Sequence, residues 1–391
     1  MLFEDQVRND PSPAAAQEDS FAFLNRVDTR YWAQVRDVLE EWFSHYPVSE
    51  GVSLREGFRS REAGQHWAAW WELYLHELLI RLGYEMEIHP PMPDTERTPD
   101  FLLSRDGASL YVEATVVFSG VNANDAQDGA PAWLLDTINK IEAPGFFVVP
   151  IEVKNGPERL KAREIRGPLE SWLSELDPDQ AEAGHHAGVG LPQVTFECRG
   201  WEITYEAWPV TPDARGRDDH RVLGGGSIVA GWVDDVDQLQ SKLKAKAGRY
   251  GRPEAPLVTA VLCASSFMED RDIEQALFGR EAVLIPGGPI SEGRLVRQRD
   301  GFWVRGDGPQ NKRVSAVLTA VQLHPWNAPK VTPKLWLNPW ADYPLAEGWP
   351  VPSATATDSG AIIYEERDAQ MHSLLGLPAD WPSGRPFPRE D

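Results

Sequence analysis

Two stretches in the first quarter of the chain carry apolar residues at the spacing of one helical face. The first covers residues 20–46, and Pro47 ends it. The second, QHWAAWWELYLHELLIRLG, covers residues 65–83 and stops at Gly83, a residue that favours a helix C-terminus. The pattern therefore predicts two helices, of which the second is the more regular and is amphipathic.

Short apolar segments bounded by turn residues follow the second helix and predict strands. The turn Arg105-Asp106-Gly107 joins two of them as a hairpin. A helix is expected at 131–142. The strands are predicted at YEMEIH (84–89), DFLLS (100–104), LYVEATVVF (110–118) and FFVVPIEV (146–153). The order helix, three strands, helix, strand predicts an α/β core whose central sheet is covered by helices on both faces.

The 391 residues are more than one hydrophobic core usually takes, so several segments are expected. The acidic, Pro/Ala-rich start lacks the order of a signal peptide, no apolar run is long enough for a membrane, and two cysteines are too few for a disulfide framework. We therefore expect a cytoplasmic protein without membrane contact. Its segments are predicted as a disordered leader at 1–19, an N-terminal helical segment at 20–64, an α/β core with insertions at 65–285, and an irregular Gly/Pro/Trp-rich extension at 286–391.

Two carboxylates fall on the predicted hairpin. Glu113 lies on a largely apolar strand, where a charge is costly unless it is paired or bound to a cation. A glutamate on a solvated sheet face is the alternative. Asp100 follows Pro99 at the start of the partner strand, and the hairpin brings it towards Glu113. Two converging carboxylates form a hard oxygen site suited to Mg²⁺ or Mn²⁺, ions that can assist phosphodiester hydrolysis.

The second helix offers a third carboxylate. Glu72 lies at the flank of the apolar stripe and can reach towards the sheet, whereas Glu77 lies opposite and is expected to be solvated. The alternative is that Glu72 pairs with His76 at the helix surface. The three predicted metal ligands are therefore Asp100, Glu113 and Glu72.

The succession of three short motifs resembles the PD-(D/E)xK nuclease superfamily and uncharacterised bacterial proteins of that type. The motifs are Glu72 in a helix, Pro99-Asp100, and Glu113-Ala114-Thr115 in a strand. The resemblance covers about residues 65–118 and implies a restriction-endonuclease-like fold. It also implies Mg²⁺-dependent hydrolysis of DNA, with RNA as the second choice, a role in bacterial defence by analogy, and a homodimer or a defence-system partner protein. Asp100 and Glu113 would bind the metal, and Glu72 would complete the catalytic site.

The departure from the superfamily is Thr115, which stands where a lysine usually orients the attacking water. Lys140 is the nearest candidate to replace it. The segment Ile151-Glu152-Val153-Lys154 spells the complete motif, but Pro150 interrupts its strand, so Glu113 is preferred and Lys154 remains a possible donor of charge. The alternative function is a catalytically inactive nuclease-like binding module or a subunit of a larger complex.

The net charge of −22 argues against nucleic-acid binding unless basic residues are concentrated in one place. Residues 237–252 provide such a concentration on a predicted helix. Lys242, Lys246 and Arg249 share one face, and Tyr250 could stack on a base. A solvated helix face is the alternative. These four residues are the predicted nucleic-acid-binding group.

Overall fold

The fold is described from a computed structural model of the chain. The described residues are 1–15, 18–92, 95–118, 132–138, 140–141, 143, 145–154, 156–186, 189–210, 235–251, 254–264, 268–284, 294–306, 308–345, 349–357 and 360–387. No helix within these ranges is both long enough and apolar enough to cross a membrane.

The described helices are α1 (Ser20–Arg26), α2 (Arg30–His45), α3 (Gly51–Phe58), α4 (Ala63–Arg81), α5 (Ala132–Ile138), α6 (Ala162–Ser174), α7 (Pro178–His186), α8 (Asp235–Ala247), α9 (Asp270–Phe278) and α10 (Met371–Leu374). The strands are β1 (Glu85–Ile88), β2 (Phe101–Arg105), β3 (Ala108–Val117), β4 (Phe146–Lys154), β5 (Gln193–Cys198), β6 (Trp201–Pro209), β7 (Leu257–Cys263), β8 (Glu281–Leu284), β9 (Arg294–Arg297), β10 (Val304–Arg305), β11 (Gly308–Pro309), β12 (Ala316–Val321), β13 (Lys334–Leu337), β14 (Ser353–Ala356) and β15 (Ile362–Glu365).

An eight-stranded mixed sheet in the order β1-β2-β3-β7-β12-β13-β14-β15 forms the centre of the molecule. The strands β1, β2 and β3 are antiparallel neighbours, whereas β7 is parallel to both β3 and β12. Apolar residues fill both faces, as expected of central strands covered by helices. The predicted α/β class is confirmed.

The two faces of the central sheet belong to two different cores. Leu110, Val112 and Val116 of β3 pack with α4, and the indole of Trp71 donates a hydrogen bond to the Ala260 carbonyl of β7 at 3.0 Å. On the other face, Val117 packs with α8 and α9. Strand β3 is therefore covered by helices on both sides, and its residues alternate between the two cores.

The segment that follows β3 forms a separate small sheet. Strands β4, β6 and β5 pair in that order, and α5, α6 and α7 contribute to the core beside them. The helix predicted at 131–142 packs beside this small sheet and the strand predicted at 146–153 belongs to it, so they are not the fifth and sixth elements of the main core. In the central sheet those places are taken by α8 and β7.

The two ends of the chain differ from the expectations. Leu2 and Phe3 are buried, and their backbone N–H groups donate to the Glu40 carboxylate at 2.8 and 2.7 Å, so the first residues are packed on α2 and are not a disordered leader. The extension predicted as irregular supplies the four strands β12–β15 to the central sheet. Its tryptophans pack inward, and Trp336 is fully buried between sheet and helices. The predicted boundary at 285–286 falls outside the described residues.

Candidate functional site

Asp100 and Glu113 lie directly opposite each other on the β2–β3 hairpin. The ladder pairs Phe101 with Val112, so the residue before Phe101 faces the residue after Val112. Directly opposed residues of antiparallel strands have Cβ atoms about 5 Å apart. Asp100 Oδ2 also accepts a hydrogen bond from the Ala114 N–H at 2.6 Å. The hairpin therefore fixes the two carboxyl groups as neighbours.

Both carboxylate oxygens of Glu113 accept hydrogen bonds from side chains at the C-terminal end of α8 and just after it. The Lys246 ammonium donates to Oε1 at 2.5 Å and to the Ala114 carbonyl at 3.1 Å. The Tyr250 hydroxyl donates to Oε2. Glu113 is only 2% exposed, so these two groups provide the polar surroundings that a buried carboxylate requires.

The sequence of α8 explains why Lys246 and Tyr250 reach Glu113. Leu239, Leu243 and Ala247 recur at helical spacing and are buried against the sheet. Lys246 and Tyr250 are four positions apart and border this apolar stripe, so they point to the same strand. Glu113 lies on the face of β3 that α8 covers, which brings the three side chains together.

The environment of Asp100 favours its neutral form. Burial and then the neighbouring Glu113 charge raise the pKa of Asp100 to about 8, against the opposing effects of the Ala114 N–H and Lys246. The charge of Glu72 acts in the same direction as that of Glu113. The negative charges of Glu113 and Glu72 thus oppose the ionisation of Asp100.

Glu72 on α4 forms the second part of the site. Its Oε1 accepts a hydrogen bond from the Tyr46 hydroxyl at 2.5 Å, at the C-terminus of α2. Burial raises the pKa of the Glu72 carboxyl, while the Tyr46 bond and the nearby His89 lower it. The partner of Glu72 is therefore Tyr46 and not the alternative, His76, whose ring packs at a tilt of 50° against the Tyr46 ring with the centroids 4.7 Å apart.

His89 is a member of the site that the sequence did not reveal. It follows β1 with a positive φ of 49°, and its ring nitrogens lie 3.6 Å from Glu50 Oε2 and 4.0 Å from Asp100 Oδ1. The side chain is 41% exposed and lies between the carboxylates of Glu50 and Asp100 and the solvent-accessible surface. Its position just after the strand and before Pro90 was the available signal, since strand ends often carry functional side chains.

The lysine at Glu113 is Lys246, in place of the expected Lys140. Lys140 is exposed just after α5, which packs in the core of the three-stranded sheet. Lys154 is also on that sheet, where its ammonium pairs with Glu202 at 2.6 Å and with Glu152 at 3.6 Å. The competing motif at 151–154 is therefore an exposed ion-pair surface. Thr115 is buried two residues beyond Glu113 on the same face of β3.

The predicted nucleic-acid-binding group divides into two parts. Tyr250 is 4% exposed and bonded to Glu113, so the prediction that it stacks on a base is wrong. Lys246 points inward and is 19% exposed. Lys242 and Arg249 are exposed within about one helical turn of Lys246. Of the three basic residues, Lys246 therefore contacts the carboxylate site, while Lys242 on α8 and Arg249 in the turn after it are exposed.

The prediction that Glu77 is solvated is wrong. Glu77 is fully buried, and its carboxylate accepts bonds from Arg81 Nε at 2.5 Å and from His45 Nδ1 at 2.8 Å. The prediction assumed that one face of α4 is free. Instead, α1, α2 and α3 pack on α4 on the side away from the sheet, so both sides of the helix are covered.

Within the described ranges, no group of three or more His, Cys, Asp or Glu side chains is arranged to hold a metal ion. The donor set at the hairpin nevertheless fits a hard cation. Asp100 and Glu113 offer carboxylate oxygens there, the charge of Glu72 on α4 acts on Asp100, and a positive group, the Lys246 ammonium, is bonded to Glu113 Oε1. Mg²⁺ needs only one or two carboxylates and keeps several waters, so this set is sufficient for it.

Comparison with known protein families found no family model that matches the chain, and searches of curated proteins and of solved structures found no match either.

Proposed function

We propose that this protein is a metal-dependent nuclease that hydrolyses phosphodiester bonds of DNA. The observation that carries the proposal is the arrangement of Asp100 and Glu113 opposite each other on a hairpin, with the Lys246 ammonium on Glu113. The element order supports it. When residues 119–234 are treated as an insertion, α4, β1–β3, α8 and β7 follow in the order predicted for a restriction-endonuclease-like core.

Asp100 and Glu113 would hold the cation, and Glu72 would assist through a bound water. A bound Mg²⁺ or Mn²⁺ polarises a phosphoryl oxygen and lowers the pKa of a bound water. Lys246 takes the role first considered for Lys140, because its ammonium is the one beside the carboxylates and can stabilise negative charge on the phosphate. Tyr250 keeps the Glu113 carboxylate in a fixed orientation.

The basic residues near the carboxylates support a nucleic-acid substrate despite the net charge of −22. Lys242 and Arg249 flank Lys246 on the same helix and its following turn. They can bind the backbone phosphates on either side of the phosphodiester that is cleaved, since phosphate contacts need only exposed positive charge. DNA is the first choice and RNA the second.

The test is cleavage of supercoiled plasmid, linear duplex and single-stranded DNA and RNA in the presence of Mg²⁺, Mn²⁺ or EDTA. We expect cleavage of DNA that depends on the metal and that falls at least a hundredfold in Asp100→Asn, about 2.7 kcal/mol of barrier. Asp106→Asn is the matched control, because it is the same substitution of aspartate by asparagine at an exposed turn of the same hairpin. Equal cleavage by both variants would contradict the proposal.

One observation favours the second candidate, a catalytically inactive binding module. Lys246 and Tyr250 occupy both oxygens of Glu113, so this carboxylate is satisfied without a cation. For such a module we expect DNA binding that is independent of Mg²⁺, no cleavage under any metal, and no heat of Mn²⁺ binding. The same set of assays therefore separates the two functions.

A further inference from the structure

The contacts of Lys246 at Glu113 are those of a bound cation. Its Nζ lies 2.5 Å from Glu113 Oε1 and 3.1 Å from the Ala114 carbonyl oxygen, two acceptors on consecutive residues of β3. Its side chain is 19% exposed and that of Glu113 is 3% exposed. An ammonium in such a place is held by oxygen atoms in much the same way as a hard metal ion.

A divalent cation on the same carboxylate oxygen would meet this ammonium. A Mg²⁺–oxygen bond is about 2.1 Å long, shorter than the distance now spanned by Lys246. The two positive charges would repel strongly in a partly buried site, where solvent screens poorly. The Tyr250 hydroxyl on the other oxygen carries no charge and can stay where it is.

The Lys246 side chain is flexible and partly exposed. Its backbone is in the last turn of α8, which is anchored by the buried Leu243 and Ala247, while its four-carbon side chain is flexible and 19% exposed. A shift of the stem alone removes the charge from Glu113 without disturbing the helix.

We propose that the Lys246 ammonium occupies the cation position at Glu113, and that a divalent cation displaces it towards solvent, where it meets a phosphate oxygen of the substrate. The inference rests on the proposed function. Metal binding and phosphate binding are then ordered, because the lysine becomes available to the substrate only when the cation has taken its place.

The first test measures the reactivity of the Lys246 amine. Short pulses of an acetylating reagent are applied to the full chain in EDTA or in saturating Mn²⁺, followed by mass spectrometry after digestion with a protease that does not cut at lysine. We expect acetylation of Lys246 to rise at least tenfold with Mn²⁺. Lys244, which is exposed on the same helix and bonded to Gln240, serves as the internal reference and should change less than twofold.

Calorimetry of Mn²⁺ binding to the same samples separates the possible failures. Mn²⁺ that binds without any change in Lys246 reactivity overturns the displacement and leaves the metal site intact. If Mn²⁺ gives no heat of binding, both the proposed function and the displacement are wrong.

The second test uses Lys246→Met and its matched control Lys244→Met. Loss of the competing ammonium should tighten Mn²⁺ binding at least tenfold in Lys246→Met, while DNA cleavage by the same variant falls at least a hundredfold. Lys244→Met should leave both quantities within a factor of two. Circular dichroism checks the fold, and Lys246→Gln repeats the test if the Met variant is unfolded. Mn²⁺ affinity that is unchanged or weaker in the folded variant contradicts the displacement.

Discussion

Lys246 donates a hydrogen bond to Oε1 of Glu113 across 133 positions of sequence. The contact joins α8, which covers one face of the central sheet, to the interior strand β3. It makes Lys246 part of the carboxylate site, and it leaves Lys242 and Arg249 as the exposed basic residues beside it.

The stability of the protein should depend on pH through Asp100. In the folded state its pKa is raised to about 8, mainly by burial, from an ordinary value near 3.8. The folded protein therefore keeps a proton that the unfolded chain releases, so the free energy of unfolding falls as pH rises from about 4 to about 8 and stays reduced above. The Asp100→Asn variant has no carboxyl group at this position, so its free energy of unfolding should not show this fall.

Urea denaturation in EDTA at pH 5, 7 and 9 measures the effect. The stability of Asp100→Asn relative to wild type should increase by at least about 1 kcal/mol between pH 5 and pH 9. Asp106→Asn, at an exposed turn, should keep a constant difference from wild type. A constant difference in Asp100→Asn as well would mean that Asp100 is ionised in the fold at low pH.

Removing the Tyr250 hydroxyl should destabilise the protein. Tyr250→Phe takes one donor from the buried carboxylate of Glu113 and leaves the packing of the ring unchanged. We expect a loss of about 1–2 kcal/mol in the free energy of unfolding, the cost of an unmade hydrogen bond to a charged group. Tyr343→Phe, at an exposed tyrosine, should change it by less than about 0.5 kcal/mol.

The buried Glu77 should matter for stability and not for catalysis. Glu77→Ala leaves Arg81 and His45 without their shared carboxylate, and we expect a loss of about 2–3 kcal/mol, since both partners keep some access to solvent. Glu41→Ala is the control, because Glu41 is exposed and 3.7 Å from the same Arg81. It should cost less than about 0.5 kcal/mol. Equal effects of the two substitutions in thermal or urea unfolding would contradict the structure.

Lys242 on α8 and Arg249 in the turn after it should set the salt dependence of DNA binding. The double variant Lys242→Ala/Arg249→Ala should weaken binding and reduce the log–log salt slope by about 0.9 for each lost phosphate contact. Arg163→Ala/Lys330→Ala removes the same charge from exposed positions elsewhere and should leave the slope unchanged. A slope that is unchanged in both variants would assign Lys242 and Arg249 to the general solvated surface.

Local features of the sequence predicted the hairpin well. The strands expected at 100–104 and 110–118 occur as β2 and β3, because the turn at Asp106-Gly107 has the positive φ values that those residues accept. The helix expected at 65–83 occurs as α4. The opposition of Asp100 and Glu113 follows from the register of this short segment, so no distant part of the chain had to be known.

The parts that the sequence did not predict depend on distant contacts. Strands β12–β15 are four to six residues long, in a stretch rich in proline and tryptophan, and their pairing partners are β7 and each other. Glu77 seemed solvated because nothing in α4 itself shows that α2 covers it. Lys246 could have been recognised from its place beside the apolar stripe of α8, but its target strand lies far back in the chain.

The order of the strands in the central sheet has a consequence for synthesis of the protein. Along one edge, strand β3 pairs with β7, which begins about 140 residues later in the chain. At translation rates of 5–20 residues per second, β1–β3 leave the ribosome roughly 7 to 30 s before that partner exists. During this interval the hairpin that carries both carboxylates presents an open edge with apolar faces, a surface on which nascent chains associate with chaperones or with one another.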